Sequence, residues 1–136
     1  MSDSIFDLTF WMARFGYSAE WTEFGFIDVA FVQEQARTFE LGSDHELEHY
    51  KWAGYRRLLA TTDFSAKSRW REFVQLIEAD PNEHLFRGAV GELLDMNRIP
   101  PDWLTEYEGS GARFLTIPSI RRKLDCALNR RTAGGP

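Results

Sequence analysis

The chain has one cysteine, no long apolar run and no glycine-rich phosphate-binding loop, and each absence excludes a class of protein. A single cysteine, Cys126, cannot build an internal disulfide framework, so a reducing compartment is expected. No apolar run approaches the ~20 residues that span a bilayer. The opening residues, MSDSIFDLTFWM, lack the basic start of a secretory signal. Together these features predict a cytoplasmic protein that does not act at a membrane.

Basic residues are scarce in the N-terminal third of the chain. Residues 1–49 hold ten carboxylates but only Arg14 and Arg37, whereas residues 113–131 hold six Arg or Lys against one carboxylate. Half of the twenty aromatic residues lie within residues 1–39. Such an acidic segment would repel phosphates, so nucleic acid is not an expected partner, while a basic protein surface would be attracted. The alternative is that the aromatic residues form core and the acids are simply solvated.

Apolar periodicity predicts an all-α protein with about six helices in antiparallel pairs. Apolar residues recur at helical spacing between capping and breaking residues, and no strand pattern competes with them. Residues 4–15 fit either a helix or a strand. Residues 1–131 are expected to form one compact domain, and residues 132–136 a disordered tail. The expected helices cover residues 19–40, 43–60, 65–79, 81–96 and 118–131, with a short helix near Trp103.

Polar residues mark the expected starts of three helices. Ser43 is followed three residues later by Glu46, which is the spacing of a capping box. Ser65 is the expected cap of the next helix. Asp80 stands before Pro81, and a proline is well placed at the first helical position because its missing N–H has no partner there in any case.

Two helical segments resemble each other 35 residues apart. Residues 48–59 read EHYKWAGYRRLL and residues 83–94 read EHLFRGAVGELL, with four of twelve positions identical. Both begin with Glu-His, carry a small pair in the middle and end with Leu-Leu. A period of this length is typical of two-helix solenoid units, because one helical pair cannot bury its own apolar face.

The second of these segments has a distinctive pattern and follows an amphipathic partner helix over residues 66–79. The pattern consists of Asp80-Pro81, Leu85, Arg87, Ala89 and Leu93-Leu94. With its partner helix it resembles a HEAT-like repeat, and the resemblance covers about residues 46–96. It implies antiparallel helical pairs stacked as in an α-solenoid, with a concave face that binds protein.

One short motif is typical of metal chemistry. Residues 45–49 read HELEH and match H-E-x-x-H. On a helix His45 and His49 project from one face and could share a zinc ion, with Glu46 polarising its bound water. Charged neighbours, a position at the helix start and the lack of a third ligand motif favour a solvated helix face instead. We therefore expect no cofactor, with zinc as the alternative.

Two other candidates have ordinary explanations. Cys126 lies among Leu124, Ala127 and Leu128, and is expected to be a core thiol rather than a nucleophile. The basic stretch at residues 121–123 has no interleaved aromatic residues. It is expected to complement a helix C-terminus or an acidic segment of the same chain.

These features favour a protein-interaction module over an enzyme. A concrete form is a small acidic bacterial immunity or inhibitor protein that blocks a basic partner, such as a toxin or nuclease domain. Carboxylates would speed association and aromatic rings would supply buried anchors. The alternatives are a zinc-dependent hydrolase built on residues 45–49 and a nucleic-acid-associated protein that uses Arg121, Arg122 and Lys123, against which the overall acidity weighs. An exposed apolar face would in addition allow a homodimer. The expected partner-binding residues are Trp11, Glu20, Trp21, Glu23, Phe24, Asp28 and Asp44.

Overall fold

The structure, a computed structural model, describes residues 6–40, 47–95 and 99–134. These residues form eight α-helices and one short 3-10 helix, and no strand occurs among them. The all-α prediction is thus confirmed, while eight α-helices replace the six that were expected. In chain order they are α1 (Leu8–Phe15), α2 (Glu20–Glu23), α3 (Val29–Glu40), α4 (Leu47–Thr61), α5 (Lys67–Ala79), α6 (Glu83–Asp95), α7 (Pro101–Thr105), the 3-10 helix (Arg113–Thr116) and α8 (Pro118–Gly134).

The chain divides into two compact units, an N-terminal unit (Met1–Thr62) and a C-terminal unit (Asp63–Pro136). Within the N-terminal unit, α1 packs against α3 and α4. Within the C-terminal unit, α8 packs against α6, α7 and the 3-10 helix, which also contacts α5. The single domain expected for residues 1–131 stays a prediction, and α8 continues to Gly134, beyond its expected end.

The first helix is set by a residue at each end. Asp7 is its N-cap, and its Oδ1 accepts the N–H of Phe10 at 3.1 Å. Gly16 ends the helix with a φ of 82°, a left-handed conformation that glycine adopts without a steric penalty. Residues 4–15, which fitted either a helix or a strand, therefore contain α1.

A turn interrupts the single helix that the sequence predicts over residues 19–40. Gly25, after the end of α2, has a φ of 74°. Asp28 then precedes α3, and its Oδ1 accepts the N–H of Phe31 at 2.8 Å. Because a carboxylate before a helix satisfies an otherwise unpaired N–H, Gly25 and Asp28 together account for the break.

Two helix starts differ from the expected ones. The Ser65 hydroxyl donates to Asp63 Oδ1 at 2.7 Å, and α5 begins at Lys67 without a side-chain cap. The start of α6 lies two residues beyond the predicted proline, where Asn82 Oδ1 accepts the N–H of Leu85 at 3.2 Å. Ser65 thus donates to Asp63 instead of capping α5, and Asn82 caps α6 in place of Asp80.

A buried tyrosine fills a gap on one face of α4. The Tyr17 hydroxyl lies 2.9 Å from Gln35 Oε1 and 2.8 Å from the Tyr50 carbonyl oxygen. The Gln35 amide also donates to that carbonyl at 2.8 Å. A Cβ at Gly54 would lie only 2.6 Å from the Tyr17 hydroxyl oxygen, so glycine is required there. Burial raises the pKa of Tyr17 well above its usual range.

In the C-terminal unit a carboxylate holds the start of the 3-10 helix. Glu78 accepts the backbone N–H of Arg113 at 2.7 Å and that of Phe114 at 2.9 Å, one on each oxygen. The Arg113 guanidinium donates to the Asp80 carbonyl oxygen at 2.7 Å and lies over the ring of Phe86. These bonds tie the segment before α8 to the C-terminal end of α5. The sequence did not predict this 3-10 helix.

The two similar segments share their pattern of buried positions. In residues 48–59 and in residues 83–94 the third, fourth, seventh, eighth, eleventh and twelfth positions are all buried. This is the spacing of a helix buried along one face. The first segment belongs to α4, which packs against α1, and the second to α6, which packs against α8. Stacked HEAT-like pairs stay a prediction.

Candidate protein-binding surface

The first part of the HELEH motif lies outside the described residues. That part includes His45 and Glu46, together with Asp44 and the predicted capping residue Ser43. His49 is described and is exposed in the first turn of α4. In the part of the chain that the structure describes, no group of three or more His, Cys, Asp or Glu could hold a metal ion. Zinc binding by this motif stays a prediction.

Trp21, one of the expected anchors, lies in the core of the N-terminal unit. Its side chain is 1% exposed. Its ring packs edge-on against Tyr55, with 4.7 Å between the ring centroids, and lies 4.9 Å from Tyr17. A ring in this position cannot contact a partner unless the core opens, so Trp21 does not belong to the surface described below.

Cys126 is exposed on α8, so its expected position in the core is wrong. Its neighbours Leu124 and Ala127 are buried instead. In a helix, residues three apart lie on the same face, so the burial of these two turns the intervening thiol toward solvent.

Trp11, the other expected tryptophan anchor, is half-buried on α1. Its ring stacks on Phe15 at 5.6 Å and meets Phe39 edge-on at 6.2 Å. Phe10 lies against it with 5.3 Å between ring centroids and is 53% exposed. Trp11 is thus partly accessible, but its ring also packs on Phe10, Phe15 and Phe39 of its own unit.

The remaining expected residues lie on α2, on the turn after it and at the start of α3. Glu23 and Asp28 are exposed, and Glu20 and Phe24 are half-buried. Val29 follows Asp28 and is 47% exposed, which is unusual for a large apolar side chain in this chain. We call this region the α2–α3 surface. It consists of Glu20, Glu23, Phe24, Asp28, Val29 and the half-buried Phe31.

The carboxylates of this surface differ in how they are paired. Within residues 6–40, 47–95 and 99–134, neither Glu20 nor Glu23 forms an ion pair. Asp28, in contrast, lies beside Arg57 of α4, with Nη2 3.3 Å from Oδ2 and Nη1 3.5 Å from Oδ1. The surface therefore presents two carboxylates without a described counter-ion and one that the same chain partly neutralises.

Asp28 has two separate interactions that stabilise its charged form. The N–H of Phe31 is the larger cause and the Arg57 guanidinium the second, and together they hold the pKa of Asp28 below its usual range. The Arg57 guanidinium carbon also lies 4.8 Å from the centroid of the Phe31 ring. Asp28 and Phe31 thus contact one guanidinium, the first with its carboxylate and the second with its ring.

Sequence reasoning missed Val29, Phe31 and Arg57 as members of this surface. The sequence predicts one helix over residues 19–40, whereas the structure has a turn before α3, and Val29 and Phe31 lie in the first turn of that helix. Arg57 is 29 residues from Asp28, so no local pattern joins them. Only the packing of the N-terminal unit brings this pair together.

No protein-family model, no curated protein sequence and no solved structure matches this chain. The described residues include no helix that is both long and apolar enough to cross a bilayer. What can be inferred about function therefore depends on the surface itself.

Proposed function

We propose that the N-terminal unit is a protein-interaction module whose α2–α3 surface binds a basic partner protein. One observation carries the proposal: Phe24 is accessible close to Glu20 and Glu23 in the chain, and these two carboxylates have no ion-pair partner among the described residues. Val29, which follows Asp28, adds a second accessible apolar side chain. Carboxylates around an apolar patch steer a cationic partner toward it, and burial of the apolar side chains then slows dissociation.

The concrete form that we propose is a small acidic inhibitor, such as a bacterial immunity protein that covers the basic cleft of a toxin or nuclease. The N-terminal unit carries ten Asp and Glu against five Lys and Arg. An excess of this kind raises the rate of encounter with a cationic protein and makes that rate fall with added salt. In this proposal the chain acts by covering its partner and not by chemistry of its own.

A pull-down with charge-neutral variants tests the proposal. The tagged chain is the bait in lysate of its native host, at low and at high salt, and retained proteins are quantified by mass spectrometry. We expect the wild type to retain one or a few basic proteins that salt releases. The double substitution Glu20→Gln and Glu23→Gln should reduce their retention by about tenfold, since each lost carboxylate weakens both encounter and binding.

The matched control removes two carboxylates from the C-terminal unit. Glu83 and Glu92 are exposed on α6, and Glu83→Gln with Glu92→Gln changes the net charge of the chain by the same amount. This control should retain the basic proteins as the wild type does. Equal losses in both double variants would mean that only overall charge matters, and the α2–α3 surface would no longer be the proposed site.

A further inference from the structure

Arg57 occupies an arrangement of groups that suits an arginine side chain. The two terminal nitrogens of its guanidinium face the two oxygens of Asp28, at 3.5 and 3.3 Å. The guanidinium carbon lies over the Phe31 ring. A carboxylate matches the fork of a guanidinium, and an aromatic face attracts its charge. Lysine offers a single point charge and cannot make the forked contact.

Arg57 is held loosely in this arrangement. Charge-assisted bonds of this type are usually about 2.7–2.9 Å long, and both contacts here are longer. The side chains of Arg57 and Asp28 are 35% and 62% exposed. Arg113 in the C-terminal unit is different, because it lies 4.4 Å from the Phe86 ring centroid and donates to a carbonyl oxygen at 2.7 Å. Arg113 is therefore a fixed structural residue, while Arg57 can be displaced.

We propose that Asp28 and Phe31 form a binding site for an arginine side chain of the basic partner, and that Arg57 occupies this site until the partner binds. The inference rests on the proposed function and names the group that the surface recognises. The site adjoins Val29, so the fitting partner segment has an arginine next to an apolar residue. Displacement returns Arg57 to solvent, where its charge is hydrated.

Because Arg57 occupies the site in the free protein, it lowers the affinity for the partner by a predictable factor. A ligand that binds only the open form has its affinity reduced by the fraction of molecules that are open. An exposed ion pair and an exposed cation–π contact each favour the closed form a few-fold. Removal of Arg57 should therefore tighten the binding of an arginine side chain about fivefold.

Two defined peptides and four variants test this site. The probes are acetylated and amidated (Gly-Arg)₃ and (Gly-Lys)₃, titrated at low salt into the full-length chain and followed by NMR. The Phe31 amide is the reporter, because its N–H bonds to the Asp28 carboxylate. The variants are Arg57→Ala, its matched control Arg56→Ala at the exposed neighbouring position, Asp28→Asn and Phe31→Leu.

We expect Arg57→Ala to bind the arginine peptide about fivefold more tightly than Arg56→Ala does, although both lose one positive charge. The gain should be small for the lysine peptide. Combining Arg57→Ala with Asp28→Asn should remove the gain while the helix cap is kept, since Asn caps as well as Asp. Adding Phe31→Leu instead should remove part of it.

Equal affinities of Arg57→Ala and Arg56→Ala for the arginine peptide would overturn the arginine site. If both peptides also bound the wild type, and more weakly after Glu20→Gln with Glu23→Gln, the proposed function would stand with a less specific surface. A gain for Arg57→Ala that is the same with the lysine peptide would also overturn the site. Whether the module binds a basic protein at all is decided separately by the pull-down.

Discussion

The two units differ in what their charged side chains contact. The N-terminal unit has twice as many carboxylates as basic residues, while the C-terminal unit has eleven of each. In the C-terminal unit Lys67 and Arg71 both pair with Glu106, and Arg121 pairs with Glu108. These pairs join a helix to the loop that follows α7. A balanced unit thus uses its charges to fix its own loops, whereas the other leaves carboxylates available to a partner.

Many aromatic residues of the N-terminal unit are buried, whereas the carboxylates that the structure describes there are at the surface. Thirteen of the twenty aromatic residues lie in this unit, and six of them are buried in its core. Phe15, Tyr17, Trp21 and Tyr55 are all at most 4% exposed. Core formation therefore accounts for nearly half of the aromatic residues of this unit, while the excess of carboxylates has no such explanation within the fold.

The largest effect that we predict comes from filling the gap on α4. Gly54→Ala places a Cβ 2.6 Å from the Tyr17 hydroxyl oxygen, which forces apart two buried elements of the N-terminal unit. We expect a loss of about 2–3 kcal/mol in the free energy of unfolding. Urea denaturation followed by circular dichroism measures it.

The control is the equivalent change in the C-terminal unit. A Cβ at Gly91 in α6 would have no atom within 4 Å, so Gly91→Ala should raise stability by about 0.5–1 kcal/mol, because alanine is the better helix former. A loss of similar size in both variants would show that the Tyr17 contact is not the cause.

A smaller effect is expected at Glu78 of the C-terminal unit, whose two hydrogen bonds to the backbone of the 3-10 helix we call the clamp. Glu78→Gln removes the charge that accepts the N–H groups of Arg113 and Phe114, and one oxygen is replaced by a donor. We expect a loss of about 1–2 kcal/mol in the free energy of unfolding. Glu72→Gln is the control, because Glu72 pairs with Arg69 on a partly exposed helix face and should cost less than about 0.5 kcal/mol. Equal costs would mean that the clamp is no stronger than a surface ion pair.

The smallest predicted effect is a difference between the two units in how their tyrosines make stability depend on pH. Burial raises the pKa of Tyr17, so the folded state keeps its proton after the unfolded state, whose tyrosine pKa is about 10, has lost it. The stability due to this group is fully present below pH ~10 and is lost above it, by at most about 1.4 kcal/mol per pH unit. We expect thermal unfolding of the wild type to show this decline between about pH 10 and 11, and Tyr17→Phe should flatten it.

Tyr107 is the comparison in the C-terminal unit. Burial raises its pKa too, but the side chain is only half-buried. Tyr107→Phe should therefore flatten the alkaline decline less than Tyr17→Phe does. If Tyr107→Phe had the larger effect, the Tyr17 hydroxyl would not be the group whose burial dominates.

Much of the fold could be predicted from the sequence because the bounds of most helices depend on neighbouring residues. The helix near Trp103 and the last helix from Pro118 follow from breakers and apolar spacing. The break after α2 was missed, because Phe24 continues a plausible helical stripe into the turn. A glycine at position 25 was the available signal.

The candidate site was less predictable, because exposure and pairing depend on packing between helices. Charge alone marks Glu20, Glu23 and Asp28 as candidates, and all three are exposed or half-buried. Large size marks Trp21 as a candidate, but size favours the core as much as an interface. The Asp28–Arg57 pair joins residues on separate helices, and no spacing rule reaches that far.

The contact between Gly54 and Tyr17 has a consequence for how this sequence can change over evolution. Neither position can change alone, since a larger residue at 54 displaces the phenol and a smaller one at 17 leaves a void and removes the hydroxyl that bonds to Gln35 Oε1. We expect substitutions at 17 and 54 to occur together in related chains, large with glycine or small with alanine. Two positions 37 residues apart should thus be inherited as a pair.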